Sequence, residues 1–253
     1  MLIDTHAHLY SQEFDIDQET MIQRAVQSGV KRIYLPNVDV SSVARLKSLL
    51  KHSNILYPMM GLHPCSVQAD YLSVLQVLKQ EFLHATYYGI GETGLDLYWD
   101  KTTLPHQIEA FKIQCTWAIE YDLPIIIHSR LATSEVLDIL EGMTPRPAKG
   151  IFHCFSGTKE EIERVAALGQ YYYGIGGVLT YKNSGLAESI PFIPRDKLVL
   201  ETDAPYLAPA PYRGKRNESA YITYVNLKLS ECLNLSLDAT AALTSENAMR
   251  VFE

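Results

Sequence analysis

Short apolar runs alternate with longer amphipathic segments along the whole chain. Several short runs are apolar at every position, as at 125–127 and 198–200, which is typical of strands buried on both faces of a parallel sheet. The longer segments space their apolar residues with the period of a helix. The alternation therefore predicts repeated strand–helix units. The eight predicted strands are Leu2–His8, Arg32–Asn37, Ile55–His63, Tyr87–Glu92, Pro124–His128, Gly150–His153, Tyr171–Gly176 and Leu198–Asp203.

The segments between these strands include most of the predicted helices. They are Glu19–Ser28, Tyr71–Leu83, Leu104–Tyr121, Thr133–Glu141 and Lys159–Leu168, followed after the last strand by Ala220–Cys232 and Asp238–Phe252. Successive strand ends lie about 28 residues apart, the repeat that a (β/α)8 barrel of roughly 250 residues requires. We therefore predict an α/β protein with a (β/α)8 TIM-barrel fold and a single domain spanning residues 1–253. An open doubly wound sheet is the alternative, but it does not explain why polar residues stand at so many strand ends.

The excess of acidic residues limits how this chain could bind nucleic acid. It carries 22 Lys and Arg residues against 29 Asp and Glu residues, a formal net charge of −7. This charge argues against a protein that holds nucleic acid by bulk positive charge, but it leaves room for phosphate binding through metal ions. No apolar run is long enough to span a membrane, and residues 1–6 lack the basic and apolar regions of a signal peptide. The four cysteines are widely spaced and form no Cys-x-x-Cys pair, and with no export signal we expect reduced thiols in a cytoplasmic protein. We infer no obligate protein partner from the sequence.

Metal-ligand residues stand at several predicted strand ends. His6 and His8 are spaced so that both imidazoles would point to one face of the first strand, together with Asp4. In a barrel the carboxyl ends of all strands meet at one mouth, where active sites lie. We therefore expect a metal site for one or two divalent ions (Zn²⁺, Mg²⁺ or Mn²⁺), with Glu92 as the candidate bridging carboxylate. The six candidate ligands are His6, His8, Glu92, His128, His153 and Asp203.

A proline-rich loop after the last strand brings basic and aromatic residues toward the same mouth. Its cations are Arg213, Lys215 and Arg216, and Tyr206 and Tyr212 lie beside them. Basic groups interleaved with aromatic rings suit phosphate contact and base stacking. The alternative is a solvated loop in which Arg216 pairs with the glutamate two residues further on.

Two further residues are candidates for substrate contact. Arg130 follows the candidate ligand His128 by two positions and could bind phosphate or form a structural salt bridge. His63 ends the third predicted strand and could contact substrate or cap that strand.

The glycines at 89, 91 and 94 formally match the G-x-G-x-x-G pattern of dinucleotide-binding proteins. That function requires the turn to open a helix, so that the pyrophosphate meets the helix N-terminus. Here residues 95–100 predict a loop instead. We therefore expect no dinucleotide at this position.

Together these residues resemble the TatD family of metal-dependent deoxyribonucleases, which are amidohydrolase-like barrels. The matching segments occur in order along the chain. They are Asp4-Thr5-His6-Ala7-His8, Gly61-Leu62-His63-Pro64, Gly91-Glu92-Thr93-Gly94-Leu95-Asp96, Leu123 to Arg130, Phe152-His153-Cys154-Phe155-Ser156-Gly157, Glu201-Thr202-Asp203-Ala204-Pro205-Tyr206-Leu207 and Arg213-Gly214-Lys215-Arg216-Asn217-Glu218. Two departures concern substrate preference: Ser219 stands where the family usually has proline, and residues 97–99 are unusually apolar.

The resemblance implies a specific ligand scheme. His6 and His8 would hold one ion, Glu92 would bridge, His128 and His153 would hold the second ion, and Asp203 would return to the first. Family members hydrolyse DNA phosphodiesters, often as 3′-to-5′ exonucleases on single strands, so single-stranded DNA is the expected substrate.

The expected reaction is attack by a metal-activated water, with Asp203 as the general base. The ions and nearby Arg or Lys groups would stabilise the phosphoryl charge, and Tyr206 or His63 would donate to substrate. Two alternatives stay open. One is an ester or amide hydrolase on the same site, such as the D-aminoacyl-tRNA deacylases among the relatives. The other is a non-catalytic metal-binding scaffold.

Overall fold

Eight parallel strands form the centre of the computed structural model, which describes all 253 residues. All eight were predicted, with ends that differ by a few residues. The strands are β1 (Leu2–Asp4), β2 (Val30–Leu35), β3 (Leu56–Pro58), β4 (Ile90–Asp96), β5 (Ile125–Arg130), β6 (Lys149–Phe152), β7 (Gln170–Ile175) and β8 (Leu198–Leu200).

Nine α-helices connect the strands or follow them. They are α1 (Gln18–Gln27), α2 (Val40–Leu49), α3 (Tyr71–Gln80), α4 (Leu104–Glu120), α5 (Thr133–Gly142), α6 (Lys159–Ala167), α7 (Leu186–Ser189), α8 (Ile222–Leu233) and α9 (Leu237–Phe252). The prediction lacked α2 and α7. Only Leu46 and Leu49 of α2 are buried, so its apolar pattern is weak. A capping box compensates, because the Asp39 carboxylate accepts from the Ser42 amide at 2.9 Å and the Ser42 hydroxyl accepts from the Asp39 amide at 3.1 Å.

The strands pair in chain order around a ring. Continuous ladders join β1 to β3 and β4 to β8, and every pair is parallel. At the two seams the ladders are reduced to isolated bridges, Met60 with Ile90 and Ala7 with Ala204. The fold is the predicted (β/α)8 barrel, and the open-sheet alternative is excluded.

Helix α9 covers the amino-terminal end of this ring. The Asn247 amide donates to the carbonyl oxygen of Leu198 at 2.8 Å, and the Ser245 hydroxyl donates to that of Met1 at 3.1 Å, both at strand starts. A separate apolar cluster joins α9 to residues from all around the ring, so it fills the barrel interior at this end. Its members are Ile3, Tyr34, Met59, Ile126, Ile151, Tyr172, Val199, Ala248 and Val251. The polar cluster described below lies at the opposite, carboxyl-terminal end.

Two strand ends differ from the prediction in ways that matter for the site. Strand β1 ends at Asp4, so His6 and His8 follow the strand and the expected alternation of faces does not continue through them. Strand β4 continues to Asp96, so Glu92 lies inside the strand, and the loop predicted for 95–100 begins only after 96. Gly94 (φ 137°) permits this extension, because a Cβ there would lie 2.0 Å from the carbonyl oxygen of His128 on β5. The glycine pattern therefore opens no helix.

None of the helices has the length and apolar composition that crossing a lipid bilayer demands.

Candidate metal centre

His6, His8 and Asp203 form one group of side chains beyond the carboxyl ends of β1 and β8. Nε2 of His6 and Nε2 of His8 are 3.1 Å apart. Oδ1 of Asp203 lies 3.7 Å from the first nitrogen and 3.6 Å from the second. Both imidazoles are buried, and the Asp203 side chain is 13% exposed. The predicted convergence of these three side chains is present in the structure.

Hydrogen bonding fixes the tautomer of His8. The Tyr10 hydroxyl donates to the carbonyl oxygen of Pro36 at 2.6 Å, so its oxygen is free to accept. His8 Nδ1, at 2.9 Å, donates to that oxygen and carries the ring proton. In the neutral ring, the lone pair of Nε2 therefore points into the group.

Asp4 does not join this group, although the sequence placed it on the same face. Its carboxylate accepts from the Thr202 amide at 2.9 Å, the Thr202 hydroxyl at 2.7 Å and the Ser219 hydroxyl at 2.6 Å. Burial raises the pKa of Asp4 to about 7, although these hydrogen bonds lower it. Asp4 thus ties β1 to the residue before Asp203. Ser219, which departs from the family pattern, takes part in this network.

Asp203 itself has a left-handed backbone, with φ of 57°. Such a conformation is costly for most residues but tolerated by aspartate. The Asp203 amide donates to the carbonyl oxygen of His6 at 2.8 Å, which holds the turn against the His6 segment. Backbone geometry thus directs Asp203 toward the two histidines.

His128 and His153 form a second group, and each is oriented by its own carboxylate. Nε2 of His128 lies 2.8 Å from Asp96 Oδ2, and Nδ1 of His153 lies 3.1 Å from Glu201 Oε1. A carboxylate behind an imidazole is the usual arrangement behind a metal-ligating histidine, because it fixes which nitrogen carries the proton. Each ring thereby turns its other nitrogen toward Glu92.

Asp96 and Glu201 were not identified as functional residues from the sequence, although both lie within the matching segments. Asp96 stands four positions after Glu92 on β4, a spacing that places both side chains on one face of the strand. Glu201 lies two residues before Asp203 and directly follows β8. Their closeness in sequence to the candidate ligands Glu92 and Asp203 was the signal that could have identified them.

Glu92 lies between the two groups. Its Oε2 is 3.1 Å from His6 Nε2 and 3.2 Å from His8 Nε2. Its Oε1 is 2.8 Å from His128 Nδ1 and 3.2 Å from His153 Nε2. Each carboxylate oxygen therefore faces a different set of imidazoles.

The surroundings of the cluster shift the pKa values of its carboxylates in opposite directions. Burial alone would raise the pKa of Glu92, but His63, His153 and His6 hold it well below its usual range. Burial raises the pKa of Asp203 to about 6, although His153 and His8 lower it. Burial and the neighbouring His153 lower the pKa of His6 well below its usual value, so this ring is neutral.

The donor set fits a divalent cation. Imidazole nitrogens with carboxylate oxygens are the ligands that Zn²⁺ and related ions prefer. Two ligand atoms bound to one such ion lie about 3–3.5 Å apart, and the His6, His8 and His153 contacts to Glu92 span 3.1 to 3.2 Å. In neutral His8 the lone pair of Nε2 faces Glu92 Oε2 at 3.2 Å, a repulsive contact unless a cation lies between the two atoms. The cluster therefore suits a bound metal ion.

His63 belongs to the cluster but has the opposite tautomer. Its Nδ1 accepts a hydrogen bond from the backbone amide of Cys65 at 3.0 Å. The neutral ring therefore carries its proton on Nε2, which faces Glu92 Oε1 at 3.4 Å. A protonated Nε2 is a hydrogen-bond donor and not a metal ligand. His63 thus caps a short helical turn through Nδ1, while its Nε2 is directed into the cluster.

The basic residues of the 213–216 segment have different surroundings. Arg216 is engaged with the Asp17 carboxylate at 2.7 and 2.9 Å, and its distance to Glu218 is 3.7 Å. Arg213 is exposed and lies over the Tyr181 ring at 4.5 Å. Lys215 is exposed and forms no ion pair. Of the three predicted substrate cations, Arg216 is already held by the protein.

Two other predicted contact residues lie elsewhere around the cluster. Tyr206 is half exposed, and its ring centroid is 6.2 Å from that of His8. Arg130 is exposed and forms no salt bridge, and its guanidinium lies 3.7 Å from the centroid of Tyr98. The salt-bridge alternative for Arg130 is therefore absent from the structure.

Known proteins resemble this chain over its whole length. The family model described as TatD related DNase matches residues 3–253. The uncharacterized metal-dependent hydrolase YabD of Bacillus subtilis is 38% identical over 253 residues, which cover 100% of this chain and 99% of that protein. The crystal structure of YjjV, a TatD homolog from Escherichia coli, matches with a TM-score of 0.91 at 33% identity, covering 99% of this chain and 97% of that one. The 3'-5' ssDNA/RNA exonuclease TatD of Escherichia fergusonii is 28% identical over 257 residues, covering 99% of this chain and 98% of that protein.

Proposed function

This chain belongs to the TatD-related DNase family and is a metal-dependent hydrolase, and we propose that it cleaves phosphodiester bonds in single-stranded DNA from the 3′ end. The position of Glu92 carries the proposal. One oxygen faces His6 and His8, and the other faces His128 and His153. A carboxylate shared between two divalent ions a few ångströms apart is a recurrent arrangement in enzymes that cleave phosphodiesters.

In the proposed site, His6, His8 and Asp203 would hold one ion, His128 and His153 would hold a second, and Glu92 would be shared between them. The imidazole-rich set favours Zn²⁺ or Mn²⁺ over ions that prefer oxygen ligands alone, with Mg²⁺ the further candidate. When bound, the ions lower the pKa of a water molecule and neutralise charge on phosphoryl oxygens.

Asp203 is the proposed general base. Its carboxyl lies at the edge of the cluster and is 13% exposed, whereas Glu92 is 3% exposed, so Asp203 can meet an entering water. Burial raises its pKa to about 6, which suits a group that accepts a proton near neutral pH. Asp203 therefore orients the attacking water and removes its proton.

His63 is the proposed donor to the substrate. Its Nε2 proton points into the cluster, because Nδ1 is occupied by the Cys65 amide. A donor at this position can stabilise a phosphoryl oxygen as negative charge develops on it. Tyr206, beside His8, is the second candidate for a hydrogen bond to the substrate.

The preference for a nucleic acid over a small neutral amide rests on uncompensated cations. Arg130, Lys215 and Arg213 form no ion pair, and Arg213 lies over the Tyr181 ring. Such groups attract phosphates. The 3′-to-5′ direction is proposed by analogy with the Escherichia fergusonii relative, a 3'-5' ssDNA/RNA exonuclease.

The test is hydrolysis of end-labelled single-stranded DNA with Mg²⁺, Mn²⁺ or Zn²⁺, and with chelator. We expect stepwise shortening from the 3′ end that requires metal and is abolished by Glu92→Ala. A matched RNA strand, D-aminoacyl-tRNA and simple amides serve as comparison substrates. Faster turnover of D-aminoacyl-tRNA than of DNA would replace the nuclease proposal by the deacylase alternative, and no turnover of any substrate by metal-loaded protein would favour a scaffold.

A further inference from the structure

Two large aromatic side chains project into solvent beside the metal centre. Tyr98 and Trp99 are 51% and 69% exposed, on the segment that leaves β4. Their ring centroids are 4.9 Å apart, and the rings are nearly perpendicular at 89°. Neither ring is covered by the apolar core. Large exposed aromatic surfaces of this kind commonly mark binding sites.

Arg130 completes this surface. Its guanidinium carbon lies 3.7 Å from the centroid of Tyr98 and 5.7 Å from that of Trp99. Because Arg130 forms no salt bridge, the surface combines an exposed aromatic pair, whose Tyr98 ring lies against the guanidinium, with one uncompensated positive charge. A stacked guanidinium beside exposed rings is the combination that binds a nucleobase together with its phosphate.

A single carboxylate ties this surface to the metal centre. Asp96 Oδ1 accepts from the backbone amides of Tyr98 at 2.9 Å and Trp99 at 3.0 Å. Asp96 Oδ2 lies 2.8 Å from His128 Nε2. The same side chain thus fixes the backbone of both aromatic residues and the orientation of a proposed metal ligand.

The backbone around Asp96 is also anchored. The Asp96 amide donates to Gln107 Oε1 at 2.9 Å, and the Leu97 amide donates to the carbonyl oxygen of Arg130 at 3.0 Å. The segment that carries Tyr98 and the strand end that carries Arg130 are therefore directly bonded. The distance from the rings to the cluster is set by the fold and not by a free loop.

We propose that Tyr98, Trp99 and Arg130 form a stacking platform for one nucleobase of a single-stranded nucleic acid, next to the phosphodiester at the metal centre. The inference rests on the proposed function and adds a substrate contact to it. The platform supplies affinity and register for a strand with exposed bases, and it disfavours duplex, whose bases are already stacked.

Kinetics with abasic substrates test the platform. The substrates are a thymidine oligomer, the same oligomer with one abasic residue at successive positions from the 3′ end, and a fully abasic oligomer. For the wild type we expect kcat/KM to fall on the order of tenfold when the abasic residue occupies one particular position, because the stack of one base on an aromatic side chain is then lost.

For Trp99→Ala we expect kcat/KM on the intact oligomer to be about as low as that of the wild type on the sensitive abasic oligomer. Placing the abasic residue at that position should then lower kcat/KM of the variant little further. Its metal content and its activity on the fully abasic oligomer should equal those of the wild type. Trp99→Phe should retain most of the wild-type kcat/KM because an aromatic ring remains. Arg130→Lys should lower kcat/KM on the intact oligomer, because lysine keeps the positive charge but has no planar group to stack. Phe192→Ala is the matched control, because Phe192 is 52% exposed and lies under Lys159 at 4.9 Å but outside the Asp96 network.

Independent losses from Trp99→Ala and from the abasic residue, multiplying together, would overturn the platform, as would an unchanged kcat/KM in Trp99→Ala. Failure of the proposed function is a separate result, in which wild-type protein cleaves no oligomer. Fluorescence then decides, because Trp99 is exposed and Trp117, the only other tryptophan, is buried. Quenching by the thymidine oligomer and not by the abasic one supports the platform, and equal responses to both contradict it.

Discussion

Glu201 Oε1 accepts a hydrogen bond from Nδ1 of His153 at 3.1 Å. In the neutral ring this places the lone pair of Nε2 toward Glu92, at 3.2 Å. The same Glu201 oxygen accepts from the Cys154 amide at 2.6 Å, so the carboxylate is held from two directions. Its other oxygen is buried without a partner. Glu201 thus acts on the proposed metal centre through His153.

Glu201→Gln should weaken metal binding by about 10–100-fold, the usual cost of losing the carboxylate behind a ligating histidine. The substitution keeps the shape of the side chain but removes its charge. Competition with a chromophoric chelator measures the affinity. Glu188→Gln, on the short helix α7, is the matched control, since Glu188 forms no ion pair. Unchanged metal affinity in Glu201→Gln would contradict the assignment.

Gly174→Ala should also weaken metal binding, although it leaves both Glu201 and His153 unsubstituted. A Cβ at Gly174 would lie 2.1 Å from Glu201 Oε2 and 3.1 Å from the Cα of His153. The carboxylate must move, and we expect weaker metal binding with destabilisation of about 1–3 kcal/mol. Gly142→Ala is the control, because no atom lies within 4 Å of a Cβ there. Chelator competition and urea unfolding give the two quantities, and full metal affinity in Gly174→Ala would argue against steric control of Glu201.

His63→Ala should separate catalysis from metal binding. Since His63 presents a protonated Nε2, its removal should lower kcat by about 10²-fold or more, the typical cost of one donor to a developing oxyanion, with metal content unchanged. His128→Ala, in contrast, should lose metal together with activity. Elemental analysis alongside steady-state kinetics distinguishes the two. Loss of metal in His63→Ala would show that this residue is a ligand instead.

Arg216 should contribute to stability more than to substrate affinity. It shares the Asp17 carboxylate with Arg24, and hydrogen bonds from Arg216 and Arg24 lower the pKa of Asp17 to about 2. Arg216→Ala should cost about 1 kcal/mol in the free energy of unfolding and leave KM for DNA unchanged. Lys215→Ala should raise KM for DNA and leave the free energy of unfolding unchanged, because Lys215 has no carboxylate partner.

The contribution of Asp17 should depend on pH in a defined direction. Its pKa is lower in the folded than in the unfolded protein, so its stabilisation is present above about pH 4 and is lost as the pH falls toward 2. The difference in unfolding free energy between the wild type and Asp17→Asn should shrink over that window. A difference that stays constant with pH would exclude an ionic contribution from Asp17.

The sequence was sufficient for the barrel and for the convergence of the candidate ligands, because both follow from period and spacing. It could not reveal that His63 and His153 present different atoms to Glu92, a protonated Nε2 in His63 and, in the neutral ring, an Nε2 lone pair in His153. That distinction depends on the hydrogen bond that each Nδ1 makes, to the Cys65 amide in one case and to Glu201 in the other. Nor could it show that Asp17 engages Arg216, since the two are 199 positions apart and on different loops. The aromatic residues at 98 and 99 were visible only as a departure from the family pattern until Arg130 was placed over one ring.

Affinity for DNA should depend on bound metal. The net charge of −7 repels a polyanion, and the cluster adds the carboxylates of Glu92, Asp203, Asp96 and Glu201 to the mouth. Two divalent ions would neutralise these four carboxylates, whereas without the ions only a few free cations, such as Lys215, remain to hold phosphates. Anisotropy of a labelled, cleavage-resistant phosphorothioate oligomer should therefore show at least about tenfold weaker binding after chelation, with a shallow salt dependence that reflects few phosphate contacts. Tight binding by the metal-free protein at physiological salt would mean that the strand is held by a surface other than the metal centre.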